Sequence, residues 1–140
     1  MISEQPGQTR EAESFSNSAS LRVSAGPLVG PLVCRVVSIV AVRADCPLNR
    51  LDDALLLCDA IAAHAPAHSP DNDVRVTVRA GHGRLQLEVS ALSPGGARAL
   101  IADAEVPGVG NVFEQVADSV RVVASGDDEM LLIELDFPTR

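Results

Sequence analysis

The sequence predicts an α+β fold of two layers, a mixed but mostly antiparallel sheet covered on one face by helices. Three observations carry that expectation. Segments of strict apolar alternation come in pairs joined by short turns, at 74–89 and 120–137, and such hairpins build antiparallel sheets. Two long apolar segments of helical periodicity lie between an isolated first strand and the first hairpin. The 140 residues, 46% of them apolar, suffice for one buried core and ask for no second domain.

Met1 to Ser20 is polar, rich in Ser, Gln, Glu and Asn, and reads as a disordered tail ahead of one domain at 21–137. Leu21, Val23 and Ala25 alternate with Arg22 and Ser24 as a first strand, which Gly26 and Pro27 end. Pro31 suits the first turn of a helix that puts Leu32, Val36, Ile39 and Val40 on one face and ends near Ala44. Asn49 is a good N-cap for the second helix, with Asp52 and Asp53 in its first turn to complement the dipole. In that helix Leu51, Leu55, Cys58 and Ala62 form one apolar stripe, and Leu57 and Ile61 begin another that leads to His64. A helix apolar on two sides packs against more than one element, and Pro66 should stop it at about Ala65.

Val74, Val76 and Val78, a turn at 80–83, then Leu85, Leu87 and Val89 make the first hairpin. Ser93-Pro94-Gly95-Gly96 breaks the chain before a short helix over 97–104, and Pro107–Asn111 breaks it again before a helix from Val112 to Ala117. Val120, Val122 and Ala124, then Met130, Leu132, Ile133, Leu135 and Phe137, give the last hairpin, turning at 125–128.

Composition excludes several functions. Phe15, Phe113 and Phe137 are the only aromatic residues, too few for a platform on which bases stack. A formal net charge of −8 repels nucleic acid and anionic membranes and favours basic protein surfaces. The apolar stretch Leu28–Val42 is too short to span a bilayer and is interrupted by Pro31 and Arg35. Residues 1–20 lack the apolar core of a signal peptide. Cys34, Cys46 and Cys58 read as reduced core residues of a cytoplasmic protein, and their spacing is not that of a zinc site.

The element order and the residues of the second helix together resemble the GHKL ATPase domain, the Bergerat fold, of the anti-sigma serine-protein kinases that regulate bacterial sigma factors. The family pattern in that helix is an Asp-Asp start, an apolar run, then Glu-Ala-x-x-Asn-Ala-x-x-His. Aligned without gaps, Leu51-Asp52-Asp53 matches the start and His68 falls on the histidine. Ala60 then stands in place of the Glu that polarises water, and His64 in place of the Asn that holds magnesium. LQLEVSALSPGG occupies the segment of a strand followed by Asp-x-Gly-x-Gly, with Ala91 at the Asp that accepts a hydrogen bond from the adenine amino group. PGVGNVFEQVADSVRVVAS is similar to the phosphate loop, last helix and penultimate strand, with Gly108 and Gly110 as a nest for an anion.

Alanine has no acceptor or ligand atom, and imidazole is a poor substitute for an oxygen ligand of magnesium. The resemblance therefore implies a degenerate relative with ATP binding impaired or lost, no cofactor and no catalytic residue. It implies action by binding a sigma factor or a STAS-domain antagonist, with a homodimer as a further assembly. The alternative is an active ATP-dependent serine-protein kinase, using ATP and magnesium in a divergent site. Arg35, a charge inside the apolar first helix, lies close to the position of an arginine with which the family contacts its partners.

Other groupings point to bland roles. His64 and His68 stand four residues apart, but Pro66 lies between them and no third metal ligand is evident. His82 between two glycines reads as an exposed turn residue. Asp127-Asp128-Glu129 and Asp103-x-Glu105 read as solvated acids of turns and loops.

Overall fold

The computed structural model describes residues 15–139. The elements are β1 (Asn17–Ser24), α1 (Val29–Arg43), α2 (Leu48–His64) with a 3₁₀ turn at Ala65–His68, β2 (Asp73–Gly81) and β3 (Arg84–Leu92). They continue with α3 (Gly96–Asp103), β4 (Glu105–Val106), β5 (Gly110–Asn111), α4 (Val112–Val116), β6 (Ser119–Ser125) and β7 (Asp128–Asp136). Five strands form one sheet in the order β1-β2-β3-β7-β6, and β4 pairs with β5 alone.

The α+β, two-layer reading holds, with one correction. Every strand pair in the five-stranded sheet is antiparallel, so the sheet is not mixed. The connections explain most of this: β2–β3 and β6–β7 are hairpins, and between β1 and β2 the helices α1 and α2 each reverse the chain, so the strand that follows them returns antiparallel to the one before. Alternation does the rest. Val74, Val76, Val78 and Ala80 of β2, Leu85, Leu87 and Val89 of β3, and Leu131, Ile133 and Leu135 of β7 are all buried under the helices. The other face carries a polar ladder. Arg79 donates to Gln86 and Glu88 at 3.0 Å each, and Gln86 donates to Glu134 at 3.1 Å.

Three local expectations are corrected. β1 begins at Asn17, so 17–20 belong to the sheet and not to a tail; residues 1–14 lie outside the described residues. Ser20 and Thr77 hydroxyls, 2.9 Å apart across the β1–β2 pair, show why polar residues can start this edge strand. The N-cap of α2 is Pro47, not Asn49, and Asp52 and Asp53 fall after its first turn. Asp53 instead holds Arg50 at 2.7 Å, and the same guanidinium reaches Asp118 and the Asp136 carbonyl, tying the start of α2 to β6 and β7.

The third correction concerns α1. Its buried residues are Val29, Val33, Val37, Val40 and Ala41, so of the face the sequence suggested only Val40 lies fully inside. α1 is apolar almost all round, and periodicity alone does not say which side meets the sheet. Phe113 of α4 is wholly buried, held by Asn111, whose side chain accepts from the Phe113 N–H at 3.0 Å and donates to the Ile101 carbonyl at 2.7 Å.

Candidate functional site

The positions singled out in α2 converge on one end of the sheet. Ala60 and His64 are half-buried on α2, and the chain leaves that helix through the 3₁₀ turn at Ala65–His68, whose geometry Pro66 favours. The His68 carbonyl accepts from the Ser93 N–H at 3.0 Å, and a Cβ added at Gly96 would meet the His68 Cβ at 3.2 Å. The end of α2 is therefore packed on the segment that follows β3. His68 Nε2 lies 2.7 Å from Asp103 on α3, which occupies the ring and separates it from any joint role with His64. Among the described residues, no three His, Cys, Asp or Glu side chains cluster as metal ligands would.

Ala91 sits in a β-bulge. The pairing of β3 with β7 passes from Val89–Leu131 to Leu92–Glu129, which leaves one extra residue on β3, and Ala91 takes it up at φ 56°. Asp and Asn adopt this left-handed conformation more readily than Ala. Glu129, opposite the bulge, accepts from the Ala97 N–H at 3.2 Å, so one of the three turn acids caps α3.

Gly108 and Gly110 belong to the β4–β5 hairpin. The Val109 N–H donates to the Val106 carbonyl at 2.9 Å, with Pro107 second in the turn and Gly108 third at φ 81°, a type II turn. The Val109 N–H is thus spent within the turn. Gln115 folds back to donate to the Val109 carbonyl at 2.8 Å, and a Cβ on Gly110 would stand 2.2 Å from its amide nitrogen.

A cavity of about 710 Å³ opens at the other end of β3, between the α1–α2 link, the β2–β3 turn and the C-terminal segment. Val42, Arg43, Cys46, His82 and Phe137 are among its lining residues. Neither it nor two smaller cavities, of about 280 and 260 Å³, is lined by Ala60, His64, Ala91, Gly108 or Gly110.

The outer face of α1 is the most distinctive surface. Leu28, Leu32, Arg35, Ile39 and Val42 recur at steps of four, three, four and three residues, which puts them on one side of the helix. Leu28 is 62% exposed, Leu32 40%, Ile39 51% and Val42 60%. Arg35 is exposed in the middle of them, and Val42 carries the stripe to the mouth of the 710 Å³ cavity. The sequence reading named Arg35 but placed Leu32 and Ile39 inward. The spacing was visible; what it lacked was the side of α1 that faces the sheet.

No protein-family model matches this chain, and no curated protein matches it. Among the described residues no helix is long and apolar enough to cross a membrane.

Proposed function

We propose that this protein is a bacterial cytoplasmic regulator of the anti-sigma type, which acts by binding a sigma factor or a STAS-domain antagonist and has ATP binding impaired or lost. The observation that carries the reading is the stripe Leu28, Leu32, Arg35, Ile39 and Val42, four exposed apolar side chains around one guanidinium. Water-facing Leu, Ile and Val in a row cost solvation that a partner relieves, and an arginine set among apolar residues is a common composition for the energetic centre of a protein interface. The partner face that fits it is apolar with a carboxylate for Arg35.

The nucleotide side supports the same reading. Ala60 and Ala91 offer neither a base nor an acceptor, and the hairpin around Gly108 and Gly110 satisfies part of its own backbone. Ala91 adopts a left-handed conformation in which Asp is the more comfortable residue, as expected if the position descends from the adenine-binding Asp.

The test presents each sigma factor and STAS-domain protein of the host to the immobilised chain. At least one should be retained, and Arg35→Glu should release it. Retention of none, or retention indifferent to Arg35→Glu, contradicts the reading.

A further inference from the structure

α1 and α2 are consecutive helices joined by the link 44–47, and they pack against each other as antiparallel neighbours. Their backbones come close at Gly30, where a Cβ would stand 3.6 Å from the Cβ of Ala62. That spacing falls in the range of about 3.5–4.5 Å that a disulfide requires between β-carbons. One turn further along α1 is Cys34, and one turn back along α2 is Cys58, so the two cysteines occupy the next rung of the same facing rows. The side chains agree. The Cys34 thiol donates to the carboxylate of Asp59, the neighbour of Cys58, at 3.7 Å.

We propose that Cys34 and Cys58 form a redox-sensitive dithiol that closes reversibly to a disulfide across the α1–α2 interface, with Cys34 as the attacking sulfur and Cys58 as the resolving one. Their environments divide these roles. Cys34 is half-buried and reachable from solvent, whereas Cys58 has no exposed surface. The neighbouring Cys58 thiol lowers the Cys34 pKa, with burial and Asp59 opposing it. Cys34 beside it and burial push the Cys58 pKa up. Cys46 stands apart: its thiol donates to the Pro47 carbonyl at 3.7 Å in the link between the helices, and burial raises its pKa.

The oxidant is a small dialkyl disulfide, RSSR. The Cys34 thiolate attacks one sulfur of RSSR, the S–S bond breaks, and RS⁻ leaves with the proton lost from Cys34, as RSH. A mixed disulfide, Cys34–S–S–R, remains. Cys58 gives up its proton and attacks the Cys34 sulfur, and a second RSH departs. The two protein thiols lose two electrons in all, and RSSR gains them. The product joins α1, one residue before Arg35 of the exposed stripe, to α2.

The experiment equilibrates the full chain with oxidised and reduced glutathione, quenches it in acid, alkylates the remaining thiols and digests with trypsin. The three cysteines fall in separate peptides, 23–35, 44–50 and 51–75. The proposal expects the first and third joined, Cys46 alkylated, an intact mass lower by two hydrogens, and full reversal by dithiothreitol. Cys58→Ala should hold glutathione on Cys34 as a stable mixed disulfide. In Cys34→Ser, a milder change in a half-exposed residue, Cys58 should stay free while the chain is folded. Asp59→Asn should speed the reaction several-fold by removing a charge that disfavours the Cys34 thiolate. Cys34 and Cys58 both alkylated throughout, linkage through Cys46, the same linkage pattern from urea-unfolded chain, or glutathione on Cys58 in folded Cys34→Ser would each overturn it.

Discussion

Ala91 adopts a backbone conformation that its own Cβ disfavours, at φ 56° within the β3 bulge. A left-handed L-residue costs roughly 1–2 kcal/mol, part of which glycine returns as extra freedom in the unfolded chain. Ala91→Gly should therefore raise stability by up to about 1 kcal/mol, read as a higher urea midpoint at unchanged slope. A lower midpoint would mean that Ala91 contributes packing that outweighs the strain. The bulge was not legible in the sequence, because alternation through Leu85, Leu87 and Val89 gives no sign that the register shifts two residues later. The turn at Gly108 was legible, since Pro-Gly names a type II turn directly, although not that Gln115 folds back over it. Arg50 was missed. An arginine at a helix start has no local signature when its partners, Asp118 and the Asp136 carbonyl, come from the far end of the chain.

At the scale of the element, α1 decides most. Its inner residues Val33 and Val37 have no exposed surface, while Ile39, two positions on, is half in water. Val37→Ala should cost about 2 kcal/mol through lost burial and a residual cavity, and Ile39→Ala should change stability by less than about 0.5 kcal/mol. Thermal or urea denaturation of the two variants separates the faces, and equal losses would mean that α1 is packed on both sides. The sequence established that α1 and α2 exist, where Pro66 ends α2, and both hairpins. It left the orientation of α1 open because valines, leucines and isoleucines occupy most of its circumference. The hydrophobic pattern of β2, β3 and β7 carried more information, since a period of two allows only two choices and one of them is full of Arg, Gln and Glu.

For the molecule as a whole, the fold class was legible, and the antiparallel pairing of β1 with β2 followed from the even number of helices between them. The end of α2 with His64 and the end of β3 with Ala91 lie at one end of the sheet, while the cavity of about 710 Å³ lies at the other, beyond the reach of local sequence patterns. Isothermal titration with ATP and magnesium should give no binding at micromolar concentrations, and a micromolar dissociation constant would return the nucleotide site to use. Whether the outer face of α1 is the partner surface is decided by the affinity of the retained sigma factor or STAS-domain protein for the native chain and for the double variant Leu32→Asp, Ile39→Asp. Leu56→Asp, also at an exposed apolar residue but on α2, serves as the control. Two charges placed on the α1 stripe should weaken binding by at least about 100-fold, a loss of roughly 3 kcal/mol, and the control should bind as the native chain does. Equal affinities for all three chains would contradict the assignment of the outer face of α1 as the partner surface.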